Sequence, residues 1–222
     1  MDVENENQEE YKNMAKNTNP KCKLCRRAGE KLFLKGERCY SPKCAMVKRN
    51  YPPGFHGPKG KKRITDYGQQ LAEKQKAKRQ YNILEKQFKI IFEKARKKSG
   101  NAGDNFLKLL EMRFDNALYR IGIADSKPQA RQMINHGLFT INDKKVDIPS
   151  YQLKTGEIIK IKDNKKNVKI FQSLLKKMEK KEIPSWINFD IKNTSAKILH
   201  EPDMKEIKPN FNIQMIIEYY SK

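Results

Sequence analysis

The densest series of structural signals in the chain lies in residues 113–162, RFDNALYRIGIADSKPQARQMINHGLFTINDKKVDIPSYQLKTGEIIKIK. Apolar residues at helical spacing precede Gly122, which favours the end of a first helix there. Ser126 and Gln129 have the spacing of a capping box, so a second helix begins at this point. The stretch therefore predicts a helix–turn–helix and then short strands around residues 138–141, 146–148 and 158–161, with a turn at Asn142-Asp143.

The sequences on either side complete the predicted architecture. The composition is helical from Thr65 to about Lys98, where apolar residues such as Leu84, Phe88 and Phe92 have the spacing of one buried helix face. A shorter helix is expected over Asp104–Glu111. After the module, a helix, a short strand around Ile187 and a final helix are expected. The predicted segments are a disordered tail at 1–20, a cysteine-containing segment at 21–49, a basic loop and helical region at 50–112, the module at 113–162, and a C-terminal helix and strand segment at 163–222 that packs back on the helical region.

Basic side chains greatly outnumber acidic ones. The 222 residues include 48 Lys and Arg against 26 Asp and Glu, a net charge of +22. The excess is greatest over residues 14–65, with 15 basic and two acidic side chains. Such a concentration attracts polyanions, and nucleic acid is the commonest polyanion of the cytosol. Four cysteines are too few for a secreted disulfide scaffold, and no apolar run approaches the ~20 residues of a membrane-spanning helix. We therefore expect a cytosolic, nucleic-acid-binding protein without membrane contact.

The four cysteines have the spacing of a metal site. Cys22 and Cys25 are separated by two residues, and Cys39 and Cys44 follow in a C-x2-C-x13-C-x4-C pattern. Four thiolates suit tetrahedral zinc, although they also hold iron–sulfur clusters, and four unrelated buried thiols are a further alternative. With four cysteine ligands the metal has no open position for a substrate, so the pattern predicts a structural metal, zinc in preference to an iron–sulfur cluster.

Two groups of polar residues are candidate RNA contacts. The Pro/Gly-rich segment 50–63 is expected to be extended and to become ordered only on RNA, with cations for phosphates and aromatic rings for unpaired bases. His56 is either such a contact or a plain loop residue. The candidates from these patterns are Lys48, Arg49, Tyr51, His56, Lys59, Lys61, Lys62 and Arg63 on the loop, and Arg120, Lys127, Arg131 and His136 on the two helices. No catalytic motif is found.

Several of these motifs together resemble one known family. The segments CKLCRRAGEKLFLKGERCYSPKCA, YPPGFHG and EKQKAKRQYNILEKQF, the stretch from Met112 to Ile161, and the closing IIEYYSK are similar to the fourth protein of the bacterial small ribosomal subunit. The zinc-knuckle type of that family is the nearest match in pattern. The acidic tail Met1–Asn13 departs from it. The resemblance implies an α+β fold in which an N-terminal four-Cys metal knuckle with a helical domain precedes a helix-turn-helix and short-strand RNA-binding module, inserted before a small C-terminal segment.

The resemblance also implies a function and further site residues. It implies a structural, non-enzymatic constituent of the cytoplasmic small ribosomal subunit. Such a protein binds the 5′-domain junction of small-subunit rRNA, nucleates assembly and affects decoding accuracy. Its implied neighbours are the third and fifth proteins of the subunit, near the channel through which mRNA enters, with mRNA a possible contact. It adds Arg113, Ser126, Gln129 and Gln132 to the RNA-facing residues.

Other proteins use the same small RNA-binding module, which leaves alternatives open. An RNA-modifying enzyme or an RNA chaperone with this module would leave the cysteine-containing half of the chain unexplained. A zinc-knuckle transcription factor is a third alternative, against which no groove-reading helix pair is evident beside the cysteines.

Overall fold

A computed structural model describes residues 17, 19–59, 63–162, 171, 183–190, 193–203 and 206–221. The predicted tail at 1–20 and the helix predicted after residue 162 lie largely outside these ranges. The described chain forms two units. We call Lys16–Phe106 with Lys208–Lys222 the helical unit, and Leu107–Ile207 the sheet unit.

The helical unit begins with short helices around the cysteines and continues with longer ones. Its elements are α1 (Lys21–Ala28), a 3-10 turn at Gly36–Cys39, α2 (Ala45–Lys48), a 3-10 turn at Gly57–Lys59, α3 (Asp66–Gln80), α4 (Glu85–Lys97), the first half of α5 (Ala102–Glu111), and α8 (Ile213–Ser221).

The helical composition from Thr65 to Lys98 forms two helices rather than one. Asn82 has a φ of +55°, a left-handed conformation that Asn tolerates and that ends α3. The Ile83 N–H donates to the Lys78 carbonyl across this bend. The predicted apolar face of the second half is confirmed, because Phe88, Phe92 and their neighbours on α4 are buried.

The C-terminal helix α8 packs on α3 and α4 through aromatic rings and the Glu85 carboxylate. The Tyr220 ring stacks on Phe92 with centroids 4.7 Å apart. Its hydroxyl lies 3.0 Å from Glu85 Oε1, which also accepts from Lys74 at 2.6 Å. Burial raises the pKa of the Glu85 carboxyl, but hydrogen bonds from Lys74 and Lys78 outweigh this and lower it to about 2. The helix α8 therefore packs within the helical unit.

The sheet unit places two helices against an antiparallel sheet. It contains α6 (Phe114–Ile121) and α7 (Lys127–Asn135), then β1 (Phe139–Ile141), β2 (Lys144–Lys145), β3 (Ile158–Ile161), β4 (Ile187–Asp190) and β5 (Ser195–Ile198), in the order β2-β1-β3-β5-β4. The inward face of the strands and the apolar face of the helices share one core, which includes Phe114, Phe139, Ile159 and Trp186.

The predicted helix–turn–helix is confirmed, and the strands differ in detail. Gly122 ends α6 in the left-handed conformation, and Asn142 and Asp143, both at positive φ, form the turn between β1 and β2. β2 is only two residues long, so the strand expected over 146–148 is not formed. The 163–222 segment is divided, because β5 pairs with β3 and β4 pairs with β5 in the sheet unit, whereas α8 belongs to the helical unit. Among the described helices, none is long and apolar enough to cross a membrane.

Candidate nucleic-acid interface and cysteine cavity

The four cysteines line one cavity in the helical unit. Cys22 and Cys25 lie on α1, Cys39 ends the first 3-10 turn, and Cys44 precedes α2. Their neighbours around the cavity are mostly basic or apolar, and include Lys35, Arg38 and Met46. A small apolar cluster of Cys25, Leu32 and Leu34 supports the same segment.

The predicted four-Cys metal knuckle is not shown by this geometry. Among the described residues, no group of three or more His, Cys, Asp or Glu side chains is arranged to hold a metal ion. Burial raises the pKa of the Cys25 thiol, and the adjacent Cys39, Cys22 and Cys44 raise it further. The donor set nevertheless fits a soft metal, since backbone N–H groups of Leu32 and Lys35 point at the sulfurs of Cys25 and Cys39.

The basic loop after the cysteines is folded back on α1, in contrast to the extended loop that we expected. Arg26 donates to the carbonyls of Tyr51 and Pro52 at 2.9 and 3.2 Å, and its guanidinium lies 4.8 Å from the Tyr51 ring centroid. A Cβ on Gly57 would overlap the Pro52 carbonyl oxygen, so this backbone conformation accommodates only glycine at position 57. Tyr51 is thus half-buried and supports the loop.

Most described candidates on this loop are exposed. Phe55 and His56 form its tip, with their rings edge to face at 5.3 Å. The exposed candidates are Lys48, Arg49, His56, Lys59 and Arg63, whereas Lys61 and Lys62 lie outside the described residues.

In the sheet unit, two of the predicted RNA-facing arginines are buried instead. Arg113 is 1% exposed and donates to both carboxylate oxygens of Asp115 at 3.1 and 2.8 Å. Arg131 lies 3.6 Å from the same carboxylate and is 6% exposed. The structure differs from the prediction here because two guanidinium groups neutralise one buried acid, which removes them from the surface.

Arg120 is held differently, at the edge of the unit. Its Nε and Nη2 donate to the Glu111 carboxylate at 2.8 and 2.7 Å, and its side chain keeps 35% of its surface exposed. Glu111 is fully buried and also accepts from Asn116 at 2.7 Å. The pair leaves a cation in a fixed position with access to solvent.

At the start of α7, the predicted RNA-facing residues Ser126, Lys127 and Gln129 cap the helix or are buried. The Ser126 hydroxyl accepts from the Gln129 N–H at 3.4 Å, and the Gln129 side-chain oxygen accepts from the Asp125 N–H at 2.9 Å. Burial lowers the pKa of Lys127 to about 7, although Glu111 and Asp115 partly raise it. Ser126 and Lys127 are buried, so the predicted RNA-facing positions at this helix start are mainly internal.

Models of known protein domains match most of the chain. Residues 16–111 match the model of the ribosomal protein S4/S9 N-terminal domain, and residues 112–159 match that of the S4 domain. The chain is 46% identical over 209 residues to small ribosomal subunit protein uS4 of Thermus thermophilus, covering 94% of this chain and 100% of that protein. The uS4 proteins of Heliobacterium modesticaldum and Clostridioides difficile show the same identity and coverage. The chain belongs to the uS4 family.

In this uS4-family chain, two of the predicted RNA-facing residues of the S4 domain stay exposed near the end of α7. Gln132 and His136 are exposed there, and Lys144 and Lys145 on β2 are exposed as well. A Cβ on Gly137 would be 2.9 Å from the Lys145 side chain, which shows how closely β2 approaches the end of α7.

The sequence patterns did not identify several residues that position or belong to the exposed basic groups of this uS4-family chain. Glu111 fixes Arg120 from nine positions away, which matches no helical or strand period. Lys144 and Lys145 directly follow the predicted turn and match no binding motif. No sequence pattern indicates that Arg26 secures the loop around Tyr51.

Proposed function

We propose that this chain is a structural constituent of the small ribosomal subunit in the cytoplasm and that it binds small-subunit rRNA. The observation that carries this proposal is the 46% identity over the whole length of relatives named small ribosomal subunit protein uS4. The two matched domains, the net charge of +22 and the exposed cations of both units are consistent with an RNA partner.

The proposal extends to the place and consequence of binding. The chain binds the junction in the 5′ domain of small-subunit rRNA, helps nucleate subunit assembly and influences decoding accuracy near the channel through which mRNA enters. Its neighbours there are the third and fifth proteins of the subunit, with mRNA a further contact. The proposal assigns the chain no catalytic step. Support comes from the family match and from the motifs that the chain shares with the family.

The mechanism follows from the exposed groups and their supports. The exposed Lys48 and Lys59 and the partly exposed Arg120 neutralise phosphates and release counterions, so affinity falls steeply as salt rises. The folded loop and the fixed Arg120 present these charges in one geometry, which suits a folded RNA better than an arbitrary sequence. Binding therefore favours the RNA fold that matches this geometry.

We further propose that Cys22, Cys25, Cys39 and Cys44 hold a structural zinc ion, with an iron–sulfur cluster as the alternative. The support is that the four thiols line one cavity and receive backbone N–H groups at two sulfurs. A bound metal would cross-link the segments around α1 and α2. Elemental analysis of the purified chain tests this: one zinc per chain is expected, and visible absorbance with iron would identify the cluster. Absence of both metals, also after anaerobic purification, would overturn the proposal.

A binding titration tests the rRNA proposal. The full chain is titrated against a 5′-domain fragment of small-subunit rRNA and against a scrambled RNA of equal length, at several salt concentrations. Strong preference for the junction with a steep negative salt slope supports the proposal. Equal affinity for both RNAs would contradict it. A uridine-isomerisation assay on bulk RNA and titration with duplex DNA test the modifying-enzyme and transcription-factor alternatives.

A further inference from the structure

The tip of the loop exposes a large apolar ring. Phe55 is 87% exposed, and among the described large apolar side chains that are exposed it has the greatest exposed fraction. Its described ring contact is the edge-to-face contact with the adjacent His56. A phenyl ring left in water is not stabilised by burial, and its face is accessible to a partner.

The loop that holds this ring is fixed by its own contacts. The Gly57 N–H donates to the Gly54 carbonyl at 3.1 Å, and the Lys59 N–H donates to the His56 carbonyl at 3.2 Å. Arg26 secures the first arm through the carbonyls of Tyr51 and Pro52. Because the loop is closed before any partner arrives, little further backbone ordering is needed when the ring binds.

The second ring of the same loop has a different environment. Tyr51 is half-buried and has the Arg26 guanidinium over its face at 4.8 Å. The structure therefore separates the two aromatic residues of this loop, of which only Tyr51 was a predicted RNA contact. Tyr51 supports the loop, and Phe55 is the ring with an accessible face.

The charge around the tip indicates the class of partner. Residues 48–63 contain six Lys or Arg and no Asp or Glu. Lys48, Arg49 and Lys59 are exposed on either side of the tip in sequence. An aromatic face among phosphate-binding cations is the arrangement by which proteins bind unpaired nucleotides, with the ring under the base and the cations at the backbone. An apolar pocket on another protein would not need this concentration of cations.

We propose that Phe55 is a stacking platform for one unpaired base of a structured RNA, with Lys48, Arg49 and Lys59 at the neighbouring phosphates. This inference rests on the proposed rRNA binding and adds the chemical group that this loop recognises. His56, edge-on to the ring, limits the directions from which a base can approach.

Substitutions of Phe55 in the full chain test the platform against the 5′-domain RNA fragment. Phe55→Ala and Phe55→Leu are both expected to lose roughly 5- to 100-fold in affinity, because neither side chain offers a π face. Phe55→Trp should stay within about threefold of the wild type, and its emission should be quenched by RNA. The unsubstituted chain, in which Trp186 is 1% exposed, provides the fluorescence blank. Leu199→Ala, at a 45% exposed apolar position of the sheet unit, is the control and should bind as the wild type does.

The salt dependence and the pattern of variants distinguish the outcomes. The slope of affinity against salt should be the same for Phe55→Ala and the wild type, since no phosphate contact is removed. Wild-type affinity in Phe55→Ala would overturn the platform while leaving rRNA binding intact. Full affinity in Phe55→Leu with loss in Phe55→Ala would indicate an apolar contact in place of stacking. Failure of the wild type to prefer the junction RNA would instead count against the proposed function itself.

Discussion

Arg120 and Glu111 form a two-bond ion pair in which the acid is fully buried and the base is half-exposed. The two hydrogen bonds measure 2.8 and 2.7 Å, and Asn116 donates to the same carboxylate. A buried carboxylate that keeps all its partners fixes the direction of the exposed guanidinium. Glu111 is therefore a positioning residue for a cation that the proposed function places against phosphate.

Replacing Glu111 by Gln should destabilise the sheet unit and weaken RNA binding. The amide places an NH2 group against one of the arginine N–H donors, so we expect a loss of about 2 kcal/mol in the free energy of unfolding. Urea unfolding followed by the fluorescence of Trp186, the one tryptophan of the chain, measures this change. Asp143→Asn, which removes an exposed pair with Lys160, is the matched control and should change stability by less than about 0.5 kcal/mol. Equal midpoints for the two variants would contradict the prediction.

The stability of the sheet unit should rise with pH above about 7 because of Lys127. The folded chain lowers the pKa of this ammonium to about 7, whereas an unfolded chain has a lysine pKa of roughly 10.4. Between these values the unfolded chain binds one more proton, so stability increases with pH by at most ~1.4 kcal/mol per unit. Burial is the main cause; the charged groups that act on Lys127 are Glu111, Arg120, Asp115 and Arg113, and its Nζ lies 5.6 Å from the Tyr119 ring centroid.

The variant Lys127→Met tests this dependence. It has no ammonium to bury, so it should gain stability relative to the wild type below pH 7 and lack the rise between pH 7 and about 10. Urea unfolding at a series of pH values, again followed through Trp186, gives both curves. Lys144→Met, at an exposed position of β2, should retain the wild-type dependence. Parallel curves for the wild type and Lys127→Met would show that another group is responsible.

Replacing Gly57 by Ala should disrupt the loop without unfolding the chain. The new Cβ overlaps the Pro52 carbonyl oxygen, so the backbone must move and the tip with Phe55 moves with it. We expect RNA affinity to fall to about the level of Phe55→Ala, roughly 5- to 100-fold below the wild type, with the thermal unfolding curve little changed. Pro58→Ala, an exposed change in the same loop, should bind normally. Normal affinity in Gly57→Ala would mean that the loop geometry is unimportant for binding.

Removing the proposed metal from the cysteine cavity should unfold the segment around α1 before the rest of the chain. Strong chelation, or Cys25→Ser, should lower the stability of this segment by several kcal/mol, which is less than the ~10 kcal/mol of isolated zinc fingers because Leu32 and Leu34 also form an apolar cluster there. Hydrogen exchange of α1 amides measures the loss, and the Trp186 transition of the sheet unit is the internal control. Unchanged exchange after complete metal removal would exclude this structural role.

Local sequence patterns predicted much of the secondary structure. The cap at Ser126, the left-handed glycine at Gly122 and the Asn142-Asp143 turn are local interactions, because each needs residues only a few positions apart. The helix and strand periods of Phe88 and Ile159 likewise identified buried faces. The mixed helical and antiparallel architecture was predicted from such patterns and the family from the resemblance of the motifs, whereas the predicted four-Cys metal knuckle is not shown.

The sequence by itself also determined the charge, and hence the class of partner, because net charge needs no folding. Only the tertiary structure decided which cations remain at the surface. Arg113 and Arg131 are buried against the Asp115 carboxylate, whereas Arg120 pairs with Glu111 and stays partly exposed to solvent. These outcomes depend on residue pairs that packing brings together, because a buried carboxylate needs nearby cations to offset the cost of its desolvation. The same holds for Tyr51 and Phe55, because Tyr51 is half-buried under the Arg26 guanidinium whereas Phe55 is exposed.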